Sequence, residues 1–188
     1  MKESSSGLSP EFNPERILEA LNTHGVRYVV IGAVAALAHG APIGATFDID
    51  ITPARDPANL ERLSGVLSDL DARVRTVDVE GGLPFAHDAV SLANVRMLNL
   101  TCPAGDFDLA FLPSGTGGYD DLVYNATTIA ISAVEVSVAS LADVIRSKDA
   151  AGRPKDIAVL PVLEQHARSM REGTEDGGAN SGETLRET

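Results

Sequence analysis

The sequence predicts an α+β fold, in which helices flank a β-sheet, and three local patterns carry this prediction. Residues 26–31 form a mainly apolar run, which is typical of a strand buried on both faces. Apolar and acidic residues alternate through residues 47–51, as they do in a strand with one buried face. Asn13-Pro14 and Asp56-Pro57 favour helix starts, because Asn and Asp cap a helix and Pro fits its first turn.

The predicted elements follow one another from residue 13 to residue 170. They are a helix from Pro14 to a stop at Gly25, a strand over 26–31, a short helix over 34–38, a strand over 47–52, a helix over 57–70, strands over 95–102 and 107–111, a short helix over 120–125, strands over 128–131 and 134–138, a helix capped by Ser140 and broken at 152–154, and a last helix ending near Met170. Residues 78–95 give no clear pattern.

The chain of 188 residues is expected to form one domain with two tails. Residues 13–139 are its core, and residues 140–170 are a helical segment packed on that core. Residues 1–12 are a disordered tail or an expression remnant. Residues 171–188 are poor in hydrophobic residues and are predicted to be a disordered acidic tail.

The formal net charge of −12 limits the possible partners. A domain that makes wide contact with nucleic acid is normally basic, so extensive duplex binding is disfavoured. A local basic groove that holds only the end of an RNA stays possible. There is no run of 18 apolar residues, so no membrane-spanning helix is expected.

Cysteine usage and the N-terminus indicate a cytoplasmic protein. Cys102 is the only cysteine, so no internal disulfide can form, which fits a reducing compartment. The N-terminal residues lack the apolar segment of a signal peptide. Because Cys102 lies in a predicted strand, we expect a small buried side chain rather than a catalytic thiol.

Asp48 and Asp50 are the strongest indication of chemistry. Two residues apart on a strand, their carboxylates point to the same face, while Phe47, Ile49 and Ile51 point to the other face and into the core. Carboxylates held close together repel each other, and a divalent cation such as Mg²⁺ removes that conflict. The alternative is an ordinary solvated sheet face.

A second indication is Gly32, which follows the first predicted strand. A glycine at a strand-to-helix turn allows backbone N–H groups to approach a phosphate, and the start of a helix favours an anion. An anion site and a cation site would then be joined by one short helix. A nucleoside triphosphate with its metal requires both.

Three segments in this order resemble a known superfamily: Gly32-Ala33, the run Thr46-x-Asp48-Ile49-Asp50, and residues 140–156. Together they resemble nucleotidyltransferases with the polymerase-beta-like catalytic core, and more narrowly the MenT/AbiEii-type nucleotidyltransferase toxins of bacterial toxin–antitoxin systems. The resemblance covers about residues 14–165. It implies a mixed β-sheet flanked by helices, with a C-terminal helical part.

The resemblance also implies an activity. It is Mg²⁺-dependent transfer of a nucleotide from an NTP to an RNA, with the 3′ end of tRNA as the expected acceptor and a cognate antitoxin as the protein partner. Two metal ions usually need three carboxylates, and the third is expected on residues 106–111. Asp108 is preferred because it falls where the family has its third carboxylate, and Asp106 stays the alternative.

The other site residues follow from the same resemblance. Lys148 would contact the triphosphate, and Arg153 or Lys155 would hold the phosphates or the RNA end, with Asp156 paired to one of them. The remaining nucleotide-binding residues are expected to be Gly32, Ala33 and Thr46.

Thr46 shares the face of Asp48 on the predicted strand, so its hydroxyl is expected to line the metal site. A phosphate added to that hydroxyl would compete with the substrate, which makes Thr46 a candidate regulatory position.

Two departures from the family pattern keep other functions open. Ala33 stands where the superfamily usually has a serine, and Gly44 stands where relatives often have an arginine. One alternative is transfer to a small molecule of the aminoglycoside type, which the acidic chain would suit. The other is a non-catalytic nucleotide-binding or interaction domain. His39 and His87 are expected to be structural, and the His and Cys spacing matches no zinc site.

Overall fold

A mixed seven-stranded sheet forms the centre of the protein in a computed structural model that describes residues 12–178, with residues 173–178 as backbone only. The strands are β1 (Tyr28–Ile31), β2 (Asp48–Pro53), β3 (Arg73–Val74), β4 (Met97–Cys102), β5 (Gly105–Ala110), β6 (Thr127–Ile131) and β7 (Val134–Val138). Their order in the sheet is β3-β4-β5-β2-β1-β7-β6. β2 pairs in parallel with β5 and β1 with β7, whereas the other pairs are antiparallel.

The described residues also form seven α-helices and one short 3₁₀ turn. The helices are α1 (Pro14–Thr23), α2 (Gly32–Ala38), α3 (Pro57–Asp69), α4 (Ala89–Ala93), α5 (Tyr119–Leu122), α6 (Leu141–Ala151) and α7 (Pro154–Gly178), and the 3₁₀ turn is Val123–Asn125. Asn13, Asp56 and Ser140 cap their helices through side-chain oxygens, as predicted. The predicted α+β class and the mixed sheet are confirmed.

The core is built mainly from aliphatic side chains, as the low aromatic content requires. Ile49 and Ile51 of β2 are fully buried, and Leu60 and Leu63 of α3 belong to the same cluster. All four residues of β1 are buried, in keeping with a strand covered on both faces. Cys102 is free and buried, as expected. Among the described residues, no helix combines the length and the apolar character needed to cross a membrane.

Phe47 corrects the prediction for β2. It was expected to point into the core with Ile49 and Ile51, but its side chain is 77% exposed. The strand begins only at Asp48, so Phe47 lies on the preceding loop, where the alternation of a strand no longer fixes the direction of its side chain.

The last helix corrects a second prediction. α7 continues to Gly178, past the expected end near Met170, so part of the segment predicted to be disordered is helical. Extending an existing helix costs much less than starting a new one, which allows a polar segment to follow the helix before it. The remaining parts of the two predicted tails, residues 1–11 and 179–188, lie outside the described residues.

Candidate active site

A row of polar side chains crosses three neighbouring strands at the centre of the sheet. Asp50 of β2 lies opposite Asp108 of β5, and Asp108 lies opposite Asn99 of β4. Two residues earlier on both strands, Asp48 of β2 lies opposite Asp106 of β5. Directly opposed residues share a face of the sheet, so the pairing register brings carboxylates from two distant segments together.

The row opens into a cavity of ≈ 460 Å³. Every residue that the sequence placed in the site lines this cavity. They are Gly32, Ala33, Thr46, Asp48, Asp50, Asp108, Lys148 and Arg153. Lys155 and Asp156 line it as well, whereas Asp106 is absent from its wall. Of the two aspartates that the sequence left open for the third carboxylate, Asp108 lines the cavity and Asp106 does not.

The backbone at Gly32 is in close contact with the Asp50 carboxylate. Its φ of +70° is in the left-handed region, and a Cβ atom there would lie 2.0 Å from Oδ2 of Asp50. The space that a side chain would fill is occupied by the carboxylate. The sequence predicted that this glycine allows a phosphate to approach. In the structure, the absence of a side chain at Gly32 makes room for the Asp50 carboxylate.

We therefore expect Gly32→Ala to displace Asp50. A methyl group cannot share the position of the carboxylate oxygen, and alanine at positive φ costs about 1–2 kcal/mol by itself. The nucleotidyl transfer that the sequence predicts should fall at least about 100-fold, because small misplacements of reacting groups have effects of that size. Steady-state rates and a thermal melt would check this, with Gly25→Ala as the matched control because Gly25 also has a positive φ, of +64°, but a Cβ there has no neighbour within 4 Å. Full activity in Gly32→Ala would contradict the expectation.

The Asp50 carboxylate has no direct hydrogen-bond or ion-pair partner among the described residues. Burial raises its pKa to about 6, the carboxylates of Asp108 and Asp48 add to this, and Lys148 and Lys155 oppose it. A half-buried carboxylate without a partner, beside two others, is a place where a cation would be stabilised.

Asp48 and Asp108 are held by polar neighbours. The Thr46 hydroxyl donates a hydrogen bond to Oδ1 of Asp48 at 2.8 Å, so Thr46 does lie at the site. Oδ2 of Asp108 accepts from Nδ2 of Asn99 at 2.7 Å, and Oδ1 accepts from Nη2 of Arg75 at 2.9 Å. Burial raises the pKa of Asp108, and these two donors only partly offset that effect.

The donors present fit Mg²⁺. Within the described part of the chain, no three His, Cys, Asp or Glu side chains enclose a metal ion by themselves. Mg²⁺ commonly binds through one or two carboxylates and completes its shell with substrate phosphates and water. Asp48 and Asp50, which line the same cavity as two lysines, match that mode.

The cationic wall of the cavity is organised by one buried carboxylate. Asp156, in the first turn of α7, is fully buried. It accepts hydrogen bonds from Nζ of Lys148 at 3.0 Å and from Nε of Arg153 at 2.5 Å. Burial alone would raise the pKa of Asp156, but these two bonds hold it below its usual range. The sequence predicted that Asp156 pairs with one cation, and the structure shows that it pairs with two.

Sequence reasoning missed Arg75 and Asn99. Asn99 and Thr101 alternate with apolar residues on β4, and that alternation was a usable signal. Arg75 follows a strand of only two residues, which leaves no pattern to read. The two histidines agree with their predicted structural roles: Nε2 of His39 bonds the Ala139 carbonyl at 2.8 Å, and neither His39 nor His87 lines the cavity.

Comparisons with known proteins give similarities in structure only. No protein-family profile and no curated protein matches the chain. A Thermotoga maritima protein described provisionally as a nucleotidyltransferase is similar at 16% identity and a TM-score of 0.47, over 87% of this chain and 91% of that protein.

Two structures of another protein are also similar. ANT(2″)-Ia in complex with adenylyl-2″-tobramycin is 14% identical, with a TM-score of 0.49, over 86% of this chain and 96% of its own. The solution structure of the antibiotic-resistance factor ANT(2″)-Ia is 15% identical, with a TM-score of 0.47, over 88% and 91%. Similarity at this level does not assign the chain to a family.

Proposed function

We propose that this protein is a Mg²⁺-dependent nucleotidyltransferase that moves a nucleotide from an NTP to an acceptor hydroxyl and releases pyrophosphate. The observation that carries the proposal is the arrangement of one cavity, where Asp48, Asp50 and Asp108 share the walls with Lys148 and Arg153. An NTP with its metal needs both kinds of wall, since its phosphates are anionic and its metal is a hard cation.

Each side chain has a defined part in this chemistry. Asp48 and Asp50 would hold Mg²⁺, which when bound neutralises phosphate oxygens and lowers the pKa of the attacking hydroxyl. Asp108 completes the carboxylate set. Lys148 and Arg153, positioned by Asp156, contact the triphosphate. Ala33 contributes no hydroxyl, so backbone N–H groups take that role at the turn after β1.

For the acceptor, we propose an RNA, with the tRNA 3′ end as the specific target, and a role as a growth-inhibiting toxin neutralised by a cognate antitoxin. The resemblance in three sequence segments supports this choice. The cations Lys148, Arg153 and Lys155 form a small patch on one wall of the cavity, where Asp156 pairs with the first two, and the chain around it is acidic. Such a patch suits the end of an RNA better than the length of a duplex.

The second candidate is a small cationic acceptor of the aminoglycoside type. The observation that favours it is the formal charge of −12, which attracts a polycation and repels a polyanion. A non-catalytic nucleotide-binding domain is the third reading, supported by Ala33 and Gly44 in place of the usual serine and arginine. The three carboxylates that line one cavity oppose this alternative, because binding a nucleotide without catalysis would not require them.

One assay separates these functions. The protein is incubated with Mg²⁺ and each α-labelled NTP in turn, with total RNA in one series and an aminoglycoside in the other. Asp48→Ala removes a proposed metal ligand, and Asp149→Ala, an exposed aspartate on α6, is the matched control. We expect label on a tRNA-sized band with wild type and Asp149→Ala, and none with Asp48→Ala. Label on the aminoglycoside alone would select the second candidate, and no label in either series would leave a binding domain.

A further inference from the structure

Arg75 connects the carboxylates on β5. Its Nη1 donates to Oδ2 of Asp106 at 2.6 Å, and its Nη2 donates to Oδ1 of Asp108 at 2.9 Å. Because Asn99 occupies the other oxygen of Asp108, the carboxylate nearest to Asp50 already has a donor on each oxygen. Each oxygen keeps a further lone pair, but a metal ion that uses Asp108 must compete with these donors for its negative charge.

Arg75 is placed for this contact by the edge of the sheet. The strand β3 is paired with β4, and the backbone N–H of Arg75 bonds the Asn99 carbonyl at 2.8 Å. This continues the register and aligns Arg75 with the row that contains Asn99, Asp108 and Asp50. From the edge strand, the long side chain reaches across β4 to β5.

The Arg75 guanidinium is more exposed than Asp108 and has a second carboxylate partner. The Arg75 side chain is 32% exposed, whereas that of Asp108 is 12% exposed, so the guanidinium lies on the solvent side of the pair. Asp106 does not line the cavity, and its side chain is 34% exposed. If Arg75 leaves Asp108, it keeps a carboxylate partner, and the cost of separating the charges is reduced.

We propose that Arg75 is an internal counter-ion that withholds Asp108 from metal in the empty site and moves onto Asp106 alone when metal and nucleotide bind. It is a positioning residue, since it acts through Asp108. The inference rests on the proposed metal site, and it adds that the affinity for metal is set by competition with Arg75. The planar guanidinium matters here, because its paired donors span two carboxylates in a way that a lysine ammonium does not.

The test measures metal binding rather than turnover. Mn²⁺ is titrated into wild type, Arg75→Gln, Arg75→Lys, Arg73→Gln and Asp50→Asn, with and without an NTP analogue that carries a non-hydrolysable α,β-methylene bridge. Free Mn²⁺ is followed by EPR. Arg73→Gln is the matched control. It removes the same charge two residues before Arg75, and the ion pair of Arg73 is with Asp71, outside the site. Thermal melts confirm that each variant is folded.

We expect Arg75→Gln to bind Mn²⁺ about tenfold more tightly than wild type, since it loses a charge-assisted hydrogen bond that competes with the metal. Arg73→Gln should bind like wild type. Arg75→Lys, which keeps the charge, should still gain about threefold. That variant also tests the idea if Arg75→Gln does not fold.

Equal or weaker Mn²⁺ binding in Arg75→Gln, with binding lost in Asp50→Asn, would overturn the role of Arg75 and leave the metal site standing. A gain as large in Arg73→Gln would also overturn it, because general electrostatics would then be sufficient. Absence of Mn²⁺ binding in every form, with and without the analogue, would overturn both the metal site and this inference.

Discussion

Asp50→Asn is expected to abolish nucleotidyl transfer and, at the same time, to make the metal-free protein more stable. The substitution removes a charge that is half-buried, lacks a hydrogen-bond partner among residues 12–178, and lies beside Asp48 and Asp108. Its shape is nearly unchanged, so little packing is lost. Activity should fall by a factor of about 1,000 or more, because metal binding and transition-state charge stabilisation both depend on this carboxylate.

The gain in stability follows from the raised pKa of Asp50. A rise from 3.8 to about 6 corresponds to at most about 3 kcal/mol, and solvent access to the cavity reduces this to about 1–2 kcal/mol. For a chain of this length, that raises the Tm by about 3–6 °C. Thermal melts in EDTA at pH 7.5 would measure it.

The pH dependence of this gain has a definite sign. Below pH 4 the carboxylate is protonated in both the folded and unfolded states, so wild type and Asp50→Asn should differ little. Between pH 4 and about 6 the unfolded chain loses its proton first, so wild-type stability falls relative to the variant. Above about pH 7 the difference should be constant.

Two comparisons control the stability result. Asp48→Asn should gain less, because the Asp48 carboxylate already accepts a hydrogen bond from Thr46. Saturating Mg²⁺ with an NTP analogue should stabilise wild type and not Asp50→Asn, since only the former binds the metal. A lower Tm for Asp50→Asn in EDTA would show that the carboxylate has a stabilising partner and would remove the electrostatic basis of the proposed metal site.

The carboxylates could be predicted because a strand alternates with a period of two. Asp48 and Asp50 share a face whatever the neighbouring strands are, and the flanking isoleucines indicate which face is polar. Asp108 could be placed on a strand by the same rule, but only the observed parallel register sets it opposite Asp50. The pairing of two strands that are distant in sequence depends on the whole sheet, which a local pattern does not describe.

Arg75 and Phe47 show where the local rules end. β3 has two residues, too few for any period, so nothing in the sequence indicated that Arg75 would cross a neighbouring strand to reach the site. Phe47 continues the alternation by one residue, although the strand itself does not. In both cases, the position of the side chain depends on where the strand begins or ends. That boundary is set by tertiary packing rather than by propensity.

Asp156→Asn is the second large effect that we expect, and its direction is opposite to that of Asp50→Asn. Asp156 is fully buried and accepts hydrogen bonds from Lys148 and Arg153, so its charge is compensated. Neutralising it leaves the Lys148 ammonium, whose side chain is only 16% exposed, without its counter-ion. Breaking a buried pair typically costs about 3–5 kcal/mol, and the exposure of Arg153 lowers the expected loss to about 2–3 kcal/mol.

We expect Asp156→Asn to have a Tm about 5–10 °C below that of wild type and a KM for NTP about tenfold higher, with a smaller change in kcat. Thermal melts and steady-state kinetics would measure these. Because the pKa of Asp156 is depressed, its stabilising effect is present at neutral pH and is lost as the pH falls below 4, where the stabilities of wild type and variant should converge.

The control is Asp149→Asn on the exposed side of α6, whose stability should stay within about 0.5 kcal/mol of wild type. If Asp156→Asn changed Tm but left KM for NTP unaltered, Lys148 and Arg153 would not depend on Asp156 to bind the triphosphate. The buried carboxylate would then stabilise the junction of α6 and α7 without shaping the nucleotide site.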